Sequence, residues 1–196
     1  MKRLLVILIL IFTLQTPSWA DDISDFQIEG MSIGDSLLNF IDKNRIDSIP
    51  GFYYPNSKKF KMINLNSEFS LQTYDSFFIS INEEKNDYII HEIKGTIDFK
   101  NEKDCSIEKK KIVNILRELH KGNGKEESYT QNAKQDKSGE SKYYSTDFLS
   151  KDGTARTYCM IWSEKFKNEK GWENSLNVIV YDNEFKNFLQ NEAWGN

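Results

Sequence analysis

Proline, histidine and cysteine are scarce here: 196 residues contain three prolines, two histidines and two cysteines. The two cysteines and two histidines form no recognised metal-ligand spacing, and no acidic run fits a calcium loop. No glycine-rich phosphate loop occurs either. Beyond the N-terminus no apolar run reaches the ~20 residues needed to span a bilayer. Positive charge is not in excess, with 26 basic and 30 acidic residues and a net charge of −4. That balance disfavours nucleic acid and anionic lipid as bulk partners. What is plentiful is aromatic and charged side chain, 13% and 29% of the chain. So many aromatics argue against disorder, and the length is enough to bury a real core.

Residues 1–20 read as a secretory signal peptide. Lys2 and Arg3 form a positive start, Leu4 to Leu14 an apolar run, and Ser18 and Ala20 the small residues before a cut. The apolar run is too short for a membrane anchor, and no cysteine stands at the cut to carry lipid. The mature chain is therefore expected to be periplasmic or secreted, with no membrane span after cleavage. In such a compartment Cys105 and Cys159 are expected to pair as one disulfide, free thiols or a metal site being the alternative. The bridge would close a loop of about 55 residues and contribute at most ~4 kcal/mol.

Hydrophobic periodicity predicts helices at three places. Ile33, Leu37, Phe40 and Ile41 share a helical face behind Ser32 as N-cap. Ile112, Ile115, Leu116 and Leu119 form a second stripe, capped at Asp104, Cys105 or Ser106 and closed at Gly122. Asp182 caps a last short helix with Phe185, Phe188 and Leu189 inward. Between them lie strands: residues 60–81, then Tyr88 to Phe99, with Ile89, His91, Ile93, Ile97 and Phe99 on a dry face. Glu92, Lys94, Thr96 and Asp98 fall on the wet one, and Gly95 is read as a bulge. Further strands are expected at Tyr143 to Leu149, Thr157 to Trp162 and Leu176 to Tyr181. Residues 122–142 hold almost nothing to bury and read as an exposed loop or hairpin tip.

This order predicts an α+β fold: antiparallel sheet with segregated short helices and one disulfide. Ser32-Ile33 and Ser106-Ile107, 74 residues apart, suggest a duplicated α-β-β-β unit. The mature chain would then divide into halves 21–103 and 104–196, or form one continuous domain.

Gly34-Asp35-Ser36-Leu37 resembles the nucleophile block of GDSL-type esterases, whose serine needs a histidine as base. No histidine follows His120, and the segment reads better as the first turn of an amphipathic helix. His91 and His120 read as a packed core imidazole and a helix-end imidazole. The aromatic pairs Tyr53, Tyr54 and Tyr143, Tyr144 are the candidate binding surface. No catalytic, cofactor or metal residues are assigned.

Several segments together carry a resemblance. They are Ile28 to Leu38, Tyr53-Tyr54-Pro55, the Cys105 helix, Cys159-Met160-Ile161-Trp162-Ser163 and Glu184-Phe185 through Ala193-Trp194. In these the chain resembles uncharacterised exported proteins of AT-rich marine alphaproteobacteria of the Pelagibacter type. The excess of lysine over arginine, 22 to 4, agrees with AT-rich codons. More distantly, Gly30-Met31-Ser32 leading into a short helix resembles the repeats of SmpA/BamE lipoproteins and tandem beta-lactamase inhibitor proteins. That likeness implies a non-catalytic binding module of the cell envelope, with a protein or envelope component as partner. The alternatives are a small-ligand carrier or, less favoured, a serine hydrolase using Ser36.

Overall fold

The computed structural model describes residues 23–120 and 124–194. The leader read at 1–20 and the Gly122 helix stop lie outside the described residues. The fold is α+β and antiparallel throughout. A small hairpin, β1 (Gln27–Ile28) and β2 (Met31–Ser32), precedes α1 (Lys43–Ser48). Then follow β3 (Gly51–Tyr54), β4 (Ser57–Asn64), β5 (Ser76–Asn82) and β6 (Ile90–Phe99). The second half runs α2 (Glu102–Leu119), β7 (Lys125–Asn132), β8 (Lys142–Leu149), β9 (Gly153–Ile161), α3 (Glu164–Lys170), β10 (Asn174–Asp182) and α4 (Asn183–Asn191). Eight strands make one sheet in the order β3-β4-β5-β6-β10-β9-β8-β7. Each half supplies a four-stranded meander behind a helix, and the order is symmetric about the β6–β10 pair. That central pair runs from Asn174 opposite Phe99 to Tyr181 opposite Glu92.

Period-two alternation gives the sheet two unlike faces. On the first, Phe77, Ile79, Ile93, Val178, Val180 and Ala155 are fully or nearly fully buried. They pack beneath α2 and the N-terminal segment 23–49, which shield the centre of this face from water. Each such side chain contributes about 2 kcal/mol on burial. Cys105, on the first turn of α2, is bonded to Cys159 on β9, with Cα atoms 6.0 Å apart. The bridge pins the helix to the sheet beside buried Leu176.

The expected first helix does not form. Ser32 belongs to β2, and Gly34 takes φ +88°, a left-handed conformation that ends any helix there. The Gly34 N–H instead donates to Ile90 O, Leu37 N–H to Tyr88 O, and Ile90 N–H to Asp35 O. The segment is thus sewn to the start of β6, leaving only a 3-10 turn at Leu37–Asn39. The second helix is capped earlier than expected, by Asn101, whose side chain accepts from the Asp104 N–H. Of its predicted stripe, Leu116 is buried, whereas Ile115 and Leu119 are exposed. The last helix begins where predicted, with the Asp182 carboxylate accepting from the Phe185 N–H at 2.8 Å.

Of the segment expected as an exposed loop or hairpin tip, residues 133–141 are a hairpin tip, and residues 125–132 are strand rather than loop. Lys125–Asn132 is a full edge strand paired with β8 over eight positions. Its tip is tied down by Asp136, which accepts from the Ser141 N–H, from Ser141 Oγ and from Ser163 Oγ at 3.0 Å. These bonds hold the Asp136 carboxyl far below the usual range. Nor is Gly95 a bulge. It pairs in register with Phe77 and Val178, and the Tyr74 ring covers it so closely that a Cβ would lie 2.5 Å from that ring. The register shift falls at His91 instead, between the Ser80–Glu92 and Ile81–Ile90 pairs. No described helix is long and apolar enough to cross a membrane.

Candidate functional site

The second face of the sheet is covered at one end only. There α4 lays Phe185 and Phe188 against Phe60 and Tyr181, all buried. The rest of the face is the wall of a cavity of about 1030 Å³. Its lining runs from Phe52 on the edge strand β3 to Gln131 on the opposite edge strand β7. A flat sheet of this width would set those edges roughly 34 Å apart, at ~4.8 Å per strand step. One cavity reached from both edges means that the sheet curls around it, and that both halves of the chain build it.

Cross-strand register places the lining. Phe52 opposes Met62, Met62 opposes Ser80, and Ser80 opposes Glu92. One step along, Lys94 opposes Ile179 and Ile179 opposes Arg156. A third row sets Gln131 against Tyr143 and Tyr143 against Met160. The Tyr54 ring meets Phe188 and Trp194 edge-on at 5.2 and 5.3 Å, and Tyr143 meets Tyr158 at 5.8 Å. Leu189 of α4 and Trp194 close the end near β3. Phe52, Tyr53 and Trp194 are 54%, 41% and 62% exposed, so the aromatic rim is open to water.

The polar groups of the cavity differ in how they are satisfied. Arg156 is held bidentately: Nε donates to Asp147 Oδ1 at 2.9 Å and Nη2 to Oδ2 at 2.6 Å. Burial works against its charge, but the two bonds to Asp147 and the charge of that carboxylate outweigh it and raise the guanidinium pKa. Glu92 is buried and accepts one bond, from the Ser80 hydroxyl at 2.6 Å. Burial pushes its carboxyl above the usual range, against the opposing pull of Ser80 and Lys94. Lys94 lies half-buried, with its ammonium 5.8 Å from the Phe78 ring centroid. Among the described residues no carboxylate lies within 4.0 Å of it; burial pushes its pKa down, and the Glu92 charge only partly offsets this. The Tyr158 hydroxyl is pushed up to about 12 by burial, so it stays protonated.

Of the four tyrosines singled out by sequence, Tyr53, Tyr54 and Tyr143 line this cavity. Tyr144 does not. It opposes Cys159 in the β8–β9 ladder and packs by the disulfide on the first face. Along the regular strand β8, Tyr143 and Tyr144 point to opposite faces, whereas the irregularity between Phe52 and Tyr54 on β3 lets both Tyr53 and Tyr54 reach the cavity. Sequence reading missed Glu92, Lys94, Arg156, Tyr158 and both lining methionines, Met62 and Met160. Glu92 and Lys94 had been read on a wet face, and their alternation was the one visible signal.

His91 is not on the dry face either. The bulge turns it to the cavity side of the sheet, outside the cavity lining, where Nδ1 bonds Asp182 Oδ2 at 2.6 Å and Phe60 packs edge-on at 5.2 Å. Its Nε2 is buried without a partner. His120 Nε2 contacts Leu149 O at 3.2 Å, with the ring between Phe26 and Phe148. Neither histidine bonds Ser36, whose backbone bridges Ile89. No group of three or more metal-ligating side chains occurs among the described residues. The chain matches no family model, no curated protein and no solved structure.

Proposed function

We propose that this is an exported binding protein whose ligand sits in the curled-sheet cavity. One observation carries the reading: both halves of the chain converge on a single open cavity of about 1030 Å³, lined mainly by Tyr, Met and other large apolar side chains. Ligand sites are typically of this kind, roughly 300–1,000 Å³, mostly apolar, with a few placed polar groups. Its lining offers a ligand ring stacking, apolar burial and charge. The disulfide and the signal-like leader support export to an oxidising compartment. The likeness to envelope binding modules points to the same class of function.

The test is site-directed photocrosslinking in the native cell. A photoreactive phenylalanine analogue replaces Met160 in the cavity or Lys110 on α2, remote from it. An adduct formed from position 160 and not from 110 is expected. Equal adducts from both positions, or none from 160, would overturn the reading.

A further inference from the structure

We infer that the cavity takes a free single-chain amphipathic acid, its apolar chain lying over Met62, Ile179, Met160 and Leu189 and its anionic head on Lys94. This deepens the reading above and rests on it. Three cations line the cavity, Lys94, Arg156 and Lys134, against one carboxyl, Glu92, in a chain whose net charge is −4. The acidic chain thus gathers an excess of positive charge at this concave surface.

The three cations are not equivalent. Arg156 already pairs one edge of its guanidinium, Nε and Nη2, with the Asp147 carboxylate, and Lys134 is exposed on the β7–β8 tip. Lys94 alone sits inside with no carboxylate in bonding range, flanked by Ile179 across the ladder and by the Phe78 ring. A partly desolvated ammonium gains most from a ligand anion, because charge-assisted bonds strengthen where water is thin. Burial disfavours the charge on neighbouring Glu92, which therefore competes weakly for Lys94. Beside the aromatic rings, Met62, Met160, Ile179 and Leu189 supply an aliphatic and thioether stretch of wall, and the methionines adapt to a flexible chain.

Trp194 at the rim reports binding by fluorescence. Purified mature protein is titrated with dodecanoate, its methyl ester and dodecanol, below their aggregation limits. Dodecanoate is expected to bind about tenfold or more tightly than the two uncharged chains, as a charge-assisted bond implies. Lys94→Met should erase that preference, the acid then binding no more tightly than dodecanol. Equal affinity of all three chains for the wild type would overturn the inference, a result that needs no variant to fold. Retention of the preference in K94M would overturn it too. So would retention on phosphatidylglycerol vesicles without affinity for free dodecanoate. If none of the chains binds while position 160 still forms its adduct, the acid fails and the binding-protein reading stands. If position 160 forms no adduct, that reading fails.

Discussion

The same strands make two faces with opposite fates. On one, Phe77, Ile79, Ile93 and Val178 meet α2 and the N-terminal segment and are shut off from water. On the other, Phe78, Met62, Lys94 and Tyr158 occupy the alternate positions of the same strands, and α4 is long enough to cover only the Phe60 end. The difference lies in what each half sends back across the sheet. An 18-residue helix stapled by a disulfide seals one side, whereas a nine-residue helix leaves most of the other exposed. One face holds the protein together and the other is free to hold something else.

Substitutions should separate the two faces by size of effect. Phe77→Ala on the sealed face should cost about 3–5 kcal/mol, because a fully buried ring leaves a cavity that cannot collapse; equilibrium urea unfolding measures it, and a cost below about 1 kcal/mol would break the contrast. Reducing the disulfide, or replacing both cysteines by alanine, should cost less, up to ~4 kcal/mol. It should also loosen α2 first, seen as faster amide exchange at Val113 and Leu116 than in the central strands.

Glu92→Gln on the cavity face should stabilise, on the order of 1 kcal/mol at neutral pH, because a buried carboxyl becomes an amide that still accepts from Ser80. Since the native Glu92 pKa is raised, its protonated form stabilises the fold fully below the unfolded carboxylate value. That contribution is lost as pH rises through the native value. The advantage of E92Q over wild type should therefore widen from about pH 4 upward, followed by thermal melts across pH. A gap that narrows with pH would contradict the burial argument. Smallest of all, Trp194→Ala should change stability by within ~0.5 kcal/mol, the ring being mostly exposed, while weakening binding in the cavity.

Much of this was legible before the fold was known, and the misses share a cause. The dry stripe Phe77-Ile79-Ile81, the Asp182 cap and the cysteine pair all depend on local spacing or compartment chemistry. The helix expected at 33–41 failed because long-range bonds from Gly34 and Leu37 to Ile90 and Tyr88 satisfied the backbone better than a helix turn would. Strand β7 was missed because an edge strand needs no apolar residue when β8 supplies its hydrogen bonds. Helix α3 was overlooked although Ser163 and Gly171 bracket it, the one accepting from the Phe166 N–H and the other taking φ +66°. His91 was assigned the wrong face because one inserted residue reverses a period-two reading.

By itself, then, the sequence determined the α+β class, the antiparallel alternation and the cysteine pairing. These follow from periods of two and 3.6 residues and from side-chain chemistry, which act over a few neighbours. The tertiary structure alone decided that the two meanders join at β6 and β10, that the sheet curls, and that Lys94 and Glu92 are withdrawn from water. Those outcomes rest on pairings between residues some eighty positions apart, such as Lys94 with Ile179, for which no local pattern carries a signal.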